Sequence, residues 1–384
     1  MIALRSGPTV FAVEDRGAQL TWRRVAAGPV RIVCGPVDLM VESDGGPGAV
    51  DLDGLTPDTA YDLTVTTGDG TATSSFRTLP SPAGEELFRF ATMSDLHLGA
   101  TAFGVRFTMV EAPGTVDHPI RCASAALSDL TRWGARHLVV KGDVVQSNED
   151  RSWKLAADLL GSASMPCDVL PGNHDVAHGG PDPFGVARRH GIDLVEELEI
   201  RDLPGIRLVL MNSAIVGIDR GRWHHLVDGA AAAVAAADGP AMLLVHHHPQ
   251  PAPVPTHFPP GIDSITARRL LGAVHAANPA VIGSSGHTHR HRRRTEAGVP
   301  WSEVGSTKDF PGVWAGYVVH EGGIRQVVRR VSSPDCLPWL DRTRRAAGGA
   351  WGWYSPGRLS DRCFTHDWPR ATRPARSEPS DTSP

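Results

Sequence analysis

The sequence predicts an α/β protein in two parts, a small all-β sandwich followed by a larger layered α/β domain. Three observations predict it. Through residue 79, short apolar runs recur at strand length between Gly, Pro and Asp, with no helical periodicity. From Leu87 onward, apolar β-type runs alternate with stretches of helical period, a pattern that needs crossover connections. The 384-residue length allows two or three domains at roughly 150 residues each.

In the first part, strands are expected at 9–13, 18–23, 30–34, 38–42, 49–52, 60–67 and 71–78. Residues Leu55 to Leu63 read as a turn followed by a strand with Tyr61 and Leu63 on one face. That piece resembles the tyrosine corner of a fibronectin type III module, and the resemblance implies Trp22 as the core tryptophan and 76–78 in the last strand. A Pro/Gly/Ser linker occupies 80–86.

The α/β domain is expected over 87–332. Its strands lie at 87–93, 137–143, 167–170, 206–211, 241–246 and 280–284, and its helices at 122–133, 152–160, 222–237 and 264–277. After Val299 the chain returns to strands at 301–304, 313–320 and 324–331. Residues 333–367 hold Trp339, Trp351, Trp353, Tyr354 and Phe364, too aromatic for a free linker, and are expected to pack on the α/β domain. Residues 368–384 have the composition of a disordered tail.

Composition excludes several classes. Hydrophobic residues at 41% and charged residues at 21% are ordinary globular usage. Lys+Arg at 38 against Asp+Glu at 42 gives a net charge of -4, which argues against a polyanion-binding surface and so against nucleic acid as partner. No uncharged apolar stretch of about 18 residues appears, and the start, MIALRSGPTVFAVEDRG, has no run of signal-peptide length; a cytoplasmic protein without membrane contact is expected. The five cysteines are scattered without a CxxC spacing, so no disulfide framework or zinc ribbon is indicated. The 18 histidines are clustered, and imidazole is the commonest borrowed metal ligand.

Five short motifs follow five of the apolar strands: Asp95-Leu96-His97, Gly142-Asp143, Gly172-Asn173-His174-Asp175, His246-His247-His248-Pro249 and Gly286-His287-Thr288-His289. Such strand exits face a common crevice in an α/β sheet. A pair of divalent ions about 3.5–4 Å apart needs a bridging carboxylate and further N or O ligands. On an extended segment Asp95 and His97 point the same way and can meet one ion, as can His287 and His289. Asp143, alone after a glycine, has the layout of a shared carboxylate. Asn173 offers a carbonyl oxygen, and His174 beside it is placed to act on substrate. Mixed O and N ligands without thiolate favour Mn, Fe, Zn or Co.

The ordered set D-x-H, G-D, G-N-H-D, H-x-P, G-H-x-H resembles the calcineurin-like metallophosphoesterases, over roughly 200 residues. The resemblance implies a four-layer αββα sandwich holding two divalent metal ions. One ion would be held by Asp95, His97, Asp143 and His289, the other by Asp143, Asn173, His247 and His287. His247 is chosen within the triple histidine because the family's ligand stands two residues before the proline. A hydroxide bridging the ions would attack phosphorus in line, with His174 beside the leaving oxygen and Asp175 orienting its ring. The acidic residue that many members carry after G-D is replaced here by Val144-Val145-Gln146-Ser147-Asn148.

Secondary candidates for substrate contact are His248, Arg290 at the head of the run 290–294, and Phe103, Arg106, Phe107 and His118 in the long loop 100–120. The G-N-H-D and H-x-H pattern resembles the cyclic-nucleotide phosphodiesterase branch, so a small-molecule nucleotide or glycerol-type diester is the expected substrate. The β-sandwich ahead of the domain resembles purple acid phosphatases and keeps a monoesterase as the alternative, although no tyrosine lies between Tyr61 and Tyr317 to supply their extra ligand. A DNA nuclease of the same superfamily and a non-catalytic metal-stabilised binding module are further alternatives, and a homo-oligomer is compatible with the sequence.

Overall fold

A computed structural model describes residues 7–104, 108–112, 116–176, 181–255 and 259–369. The first seven strands form two facing sheets. They are β1 (Thr9–Val13), β2 (Gly17–Trp22), β3 (Gly28–Cys34), β4 (Val37–Ser43), β5 (Gly48–Asp53), β6 (Ala60–Thr67) and β7 (Gly70–Arg77). The orders are β1-β2-β5 and β4-β3-β6-β7, with every pairing antiparallel. Alternation decides the buried face: Val30, Ile32 and Cys34 of β3 point inward against Leu20, Trp22, Leu52 and Leu63, while Arg31 points out. The Tyr61 hydroxyl accepts the Thr56 N–H at 2.8 Å and closes the turn before β6.

The remaining elements run β8 (Glu86–Met93), β9 (Ala102–Phe103), β10 (Met109–Val110), α1 (His118–Arg132), β11 (Leu138–Lys141), α2 (Asp150–Leu160), β12 (Cys167–Leu170), α3 (Pro183–Arg189), β13 (Leu198–Leu203) and β14 (Ile206–Met211). They continue as α4 (Val227–Ala235), β15 (Ala241–Val245), α5 (Ser264–Ala277), β16 (Val281–Ser285), β17 (Arg292–Glu296), β18 (Val299–Glu303), β19 (Val313–His320) and β20 (Gly323–Arg330). Last come α6 (Leu337–Thr343), α7 (Ala350–Tyr354), α8 (Leu359–Arg362) and β21 (Phe364–Asp367).

Two six-stranded sheets result, β12-β11-β8-β19-β20-β21 and β13-β14-β15-β16-β18-β17. Their central parallel strands carry apolar residues on both faces because both faces are covered. Phe90, Val139, Leu208, Leu244 and Val327 fill the space between the sheets. Ala126, Leu130, Trp153 and Val186 cover the outer face of the first sheet, and Ala230, Val234, Leu270 and Val274 that of the second. The layering is therefore α/β/β/α. Between the sheets the Lys141 ammonium reaches the Ser284 hydroxyl at 2.8 Å and the Ser285 carbonyl at 3.0 Å, and the Tyr317 hydroxyl donates to the same Ser284 at 3.1 Å.

Some elements differ from the sequence reading. The helix expected from Arg222 begins at Val227, because Trp223 is buried in the core and the chain is still turning at His224 and His225. Strand β13 went unseen because it is an edge strand with only partly buried and exposed residues. The aromatic segment after Ser332 folds into α6, α7 and α8 and adds β21 to the edge of the first sheet. The N-terminal sandwich is tied to β20 through the Gln19 amide, which exchanges bonds of 3.0 and 2.7 Å with the Arg330 backbone, and through an Asp15–Arg325 ion pair at 2.6 Å.

Candidate metal centre

Five strand exits converge at one rim of the two sheets. Strand β8 leads to Asp95 and His97, β11 to Asp143, β12 to Asn173 and His174, β15 to His246, and β16 to His287 and His289. Asp95, His97, Asp143, His287 and His289 all take positive φ, between 48° and 70°. This left-handed conformation costs a non-glycine residue about 1–2 kcal/mol, and its concentration here marks a site where geometry is held against local preference. The segments are therefore turns, not extended strands. Asp95 and His97 still meet, but His287 and His289 diverge into different groups. A Cβ on Gly172 would run into the Asp143 carboxylate, and one on Gly286 into the Ser94 hydroxyl, which is why glycine precedes Asn173 and His287.

The first group is Asp95, His97 and His289. His97 Nε2 lies 3.2 Å from His289 Nε2 and 3.6 Å from Asp143 Oδ2, and His289 Nε2 lies 3.4 Å from Asp95 Oδ1. The second gathers on His246, whose Nε2 is 3.4 Å from Asp143 Oδ2, 3.2 Å from Asn173 Oδ1 and 3.2 Å from His287 Nδ1. Asp143 belongs to both. The outward ring nitrogens are engaged elsewhere: His97 Nδ1 with Gln146 Oε1 at 3.1 Å, His289 Nδ1 with Asp309 Oδ1 at 2.7 Å, His246 Nδ1 with the Lys141 carbonyl at 2.7 Å, and His287 Nε2 with the Pro260 carbonyl at 3.3 Å. These partners hold the N–H of each ring outward and aim the lone pairs at one another.

Such a ring of acceptors needs a cation at its centre. Without one, protons are drawn in. Burial opposes a charged imidazole at His246, yet Asp143 and Asp95 push its pKa up to about 9. Burial opposes it at His289 too, and Asp309 and Asp95 push that pKa up to about 10. His287 is pushed down to about 3, chiefly by burial. Buried carboxylate, amide and imidazole donors without thiolate fit divalent metal ions.

At the triple histidine, His246 and His247 both stand beside His287 in a group that could hold an ion, and His246 is the ring that reaches Asp143 and Asn173. His247 Nδ1 lies 2.8 Å from the Ser213 hydroxyl and its Nε2 3.1 Å from the Asp219 carbonyl. Asp175 does not orient the His174 ring. Its carboxylate accepts the N–H groups of Gly172, Val144 and Val145 at 2.8, 3.2 and 2.9 Å, which locks the two motif loops together. Burial pushes the Asp175 pKa up to about 7. The His174 ring is held by the Gln146 carbonyl, 3.0 Å from Nδ1, and the His174 N–H donates to Asp143 Oδ1 at 2.9 Å.

A cavity of about 570 Å³ opens over the centre, lined by His97, Asp143, Asn173, His174, His287 and His289 and walled by Phe103, Ala346, Ala347 and Trp351. Phe103 lines it as expected, but three other candidates do not. His248 lies buried, stacked on His287 with ring centroids 6.0 Å apart. Arg290 stacks on Tyr354 at 4.4 Å and faces Glu303. His118 is buried against Trp339, ring centroids 4.0 Å apart. Arg106 and Phe107 lie outside the described residues.

Sequence reasoning missed Gln146, Lys308, Asp309 and Trp351. Asp309 is fully buried between His289 and the Trp351 indole N–H, 3.1 Å from its Oδ2. Gln146 stands three residues after Asp143, and only folding brings the other three to the motifs. The alternation along β15 did carry a signal for His246: Met242 and Leu244 face the space between the sheets, and the next residue of that parity is 246.

The calcineurin-like phosphoesterase family model matches residues 88–291, a span that holds all five exits. The chain is 27% identical over 117 residues to the 3',5'-cyclic adenosine monophosphate phosphodiesterase CpdA of Escherichia coli (strain K12), covering 30% of this chain and 41% of the relative. It is 27% identical over 168 residues to a probable cyclic nucleotide phosphodiesterase of Pseudoalteromonas sp. (strain SM9913), covering 42% and 58%. The chain thus spans about half the length of these curated relatives. Among solved structures, a dimetal phosphatase from Danio rerio aligns with TM-score 0.49 and 13% identity over 64% of this chain and 97% of its own. A purple acid phosphatase from yellow lupin seeds aligns with TM-score 0.45 and 14% identity over 85% and 73%. No helix among the described residues is long and apolar enough to cross a membrane. Because the family match takes in more than half of the chain and ends just past the last motif, this protein belongs to the calcineurin-like phosphoesterase family.

Proposed function

We propose that the protein hydrolyses phosphodiesters of the nucleotide or glycerol type at a centre of two divalent ions. One observation carries the reading: two sets of buried acceptors, each with its protons pinned outward, share the single carboxylate of Asp143. Asp95, His97, Asp143 and His289 would hold one ion, and Asp143, Asn173, His246 and His287 the other. Bound there, divalent ions supply Lewis acidity, polarising phosphoryl oxygens and acidifying water near neutral pH. The names of the two curated relatives, both phosphodiesterases of cyclic nucleotides, support the diester.

The chain's own residues do the rest. Asp143 is anchored through Oδ1 by the His174 N–H, which leaves Oδ2 toward both histidine sets. His174, fixed through Nδ1 by the Gln146 carbonyl, lines the cavity, and a proton carried on its Nε2 passes to the leaving oxygen there. Phe103, Ala347 and Trp351 exclude water on the far wall and receive the ester substituent. Five free thiols accord with a reducing, cytoplasmic setting. A monoesterase reading has the preceding β-sandwich on its side. The test is turnover of bis(p-nitrophenyl) phosphate against p-nitrophenyl phosphate after Mn loading. Higher kcat/KM for the diester supports the reading, and turnover of the monoester alone rejects it.

A further inference from the structure

We propose that Lys308 is a phosphate-binding residue of this cavity, whose ammonium receives a non-bridging oxygen of the substrate's phosphoryl group. The inference rests on the phosphoester reading of the centre and adds a residue beyond the segment that the family model matches. Lys308 follows β18 on a segment held rigid from both sides. Its N–H donates to the Ser306 hydroxyl at 3.1 Å, and its carbonyl accepts the Trp339 indole N–H at 2.8 Å. The residue is 5% exposed and lines the same cavity as His97, Asp143, His174 and His289.

What stands out is what the ammonium lacks. Among the described residues its Nζ has no hydrogen-bond acceptor and no ion-pair partner, and the Phe103 ring, 5.8 Å away at its centroid, is its only aromatic contact. The other buried lysine, Lys141, makes two hydrogen bonds between the sheets. The carboxylates of Asp309, Asp95 and Asp143 attract the ammonium without bonding it, so its N–H donors are left to the cavity that it lines. An anion entering the cavity supplies their acceptors. Trp339, Ala346, Ala347 and Trp351 come from the C-terminal extension, so that extension both fixes Lys308 and walls the space in front of it.

The experiment uses the full-length, Mn-loaded protein and inorganic phosphate as probe, with affinity measured by calorimetry and thermal stability alongside. Lys308→Met is expected to weaken phosphate about 10- to 100-fold, the scale of a charged hydrogen bond. Its metal content and Tm should be unchanged, because Nζ makes no hydrogen bond or ion pair among the described residues. Lys308→Arg keeps the charge and should stay within about 3-fold of wild type. Unchanged phosphate affinity in Lys308→Met, or equal losses in both variants, would overturn the proposal. Wild-type protein that turns over diesters while Lys308→Met matches its phosphate affinity sinks this assignment alone. Wild-type protein that neither binds phosphate nor cleaves esters sinks the phosphoester reading as well.

Discussion

His246 Nε2 stands 3.4 Å from Asp143 Oδ2, while its Nδ1 is fixed 2.7 Å from the Lys141 carbonyl. The ring is thus clamped from behind by the backbone of β11 and faces the carboxylate that leaves the same strand. His246→Ala should lose one of two bound ions and drop turnover by at least about 100-fold, whereas His247→Ala should keep both ions and most activity. Metal analysis of the purified variants distinguishes them. The reverse ranking would return the ligand role to His247.

Gln146 touches both halves of the chemistry, its amide oxygen 3.1 Å from His97 Nδ1 and its carbonyl 3.0 Å from His174 Nδ1. Gln146→Leu removes the first contact, together with the amide nitrogen 3.3 Å from His174 Nδ1, and leaves the carbonyl on His174. Metal affinity should fall about 10- to 100-fold, the usual loss for a residue supporting a ligand. Titration with Mn, followed by the recovery of activity, reads this out. An unchanged midpoint would show that the His97 ring is oriented by something else.

Asp309 joins His289 to Trp351 across 2.7 and 3.1 Å. Asp309→Asn keeps the shape and removes the charge that stabilises a cation-bound imidazole, so metal affinity should fall by a similar 10- to 100-fold. Trp351→Phe leaves Asp309 on His289 and should cost only about 1 kcal/mol of stability, with metal affinity held within a few-fold. Equal loss of metal in both variants would contradict this division of roles.

The Asp15–Arg325 pair predicts how acid loosens the N-terminal sandwich. Burial works to raise the Asp15 pKa, but Arg325 at 2.6 Å and the Ser81 hydroxyl at 2.6 Å hold it below 3.8. A carboxyl depressed in the folded state adds stability above its unfolded pKa and loses it as pH falls through the folded value. Asp15→Asn should therefore be about 1–3 kcal/mol less stable at pH 7. The gap should close below pH 3.8, and denaturant unfolding at pH 7 and in acid measures it. A gap that persists in acid would show that the loss comes from packing.

Much of the architecture was legible because both domains obey simple periods: alternating Val30, Ile32 and Cys34 in the sandwich, and unbroken apolar runs such as Ala241–Val245 in the covered sheets. The motif residues were legible because polar groups directly after such runs must lie at the sheet rim. Local backbone geometry was not. Nothing in D-x-H announces left-handed turns at Asp95 and His97, and the choice between His246 and His247 depends on which ring the neighbouring loops occupy. Lys308, Asp309 and Trp351 were out of reach for another reason. They carry no motif, and their meaning comes from contacts with residues 20 to over 200 positions away, made only when the C-terminal helices close on the rim.

The two-ion centre is tested most directly by anomalous diffraction from a Mn-loaded crystal. Two peaks about 3.5–4 Å apart on either side of Asp143 are expected. One should lie among Asp95, His97 and His289, the other among Asn173, His246 and His287. A single peak, or a second peak bound by His247 away from Asp143, would contradict it.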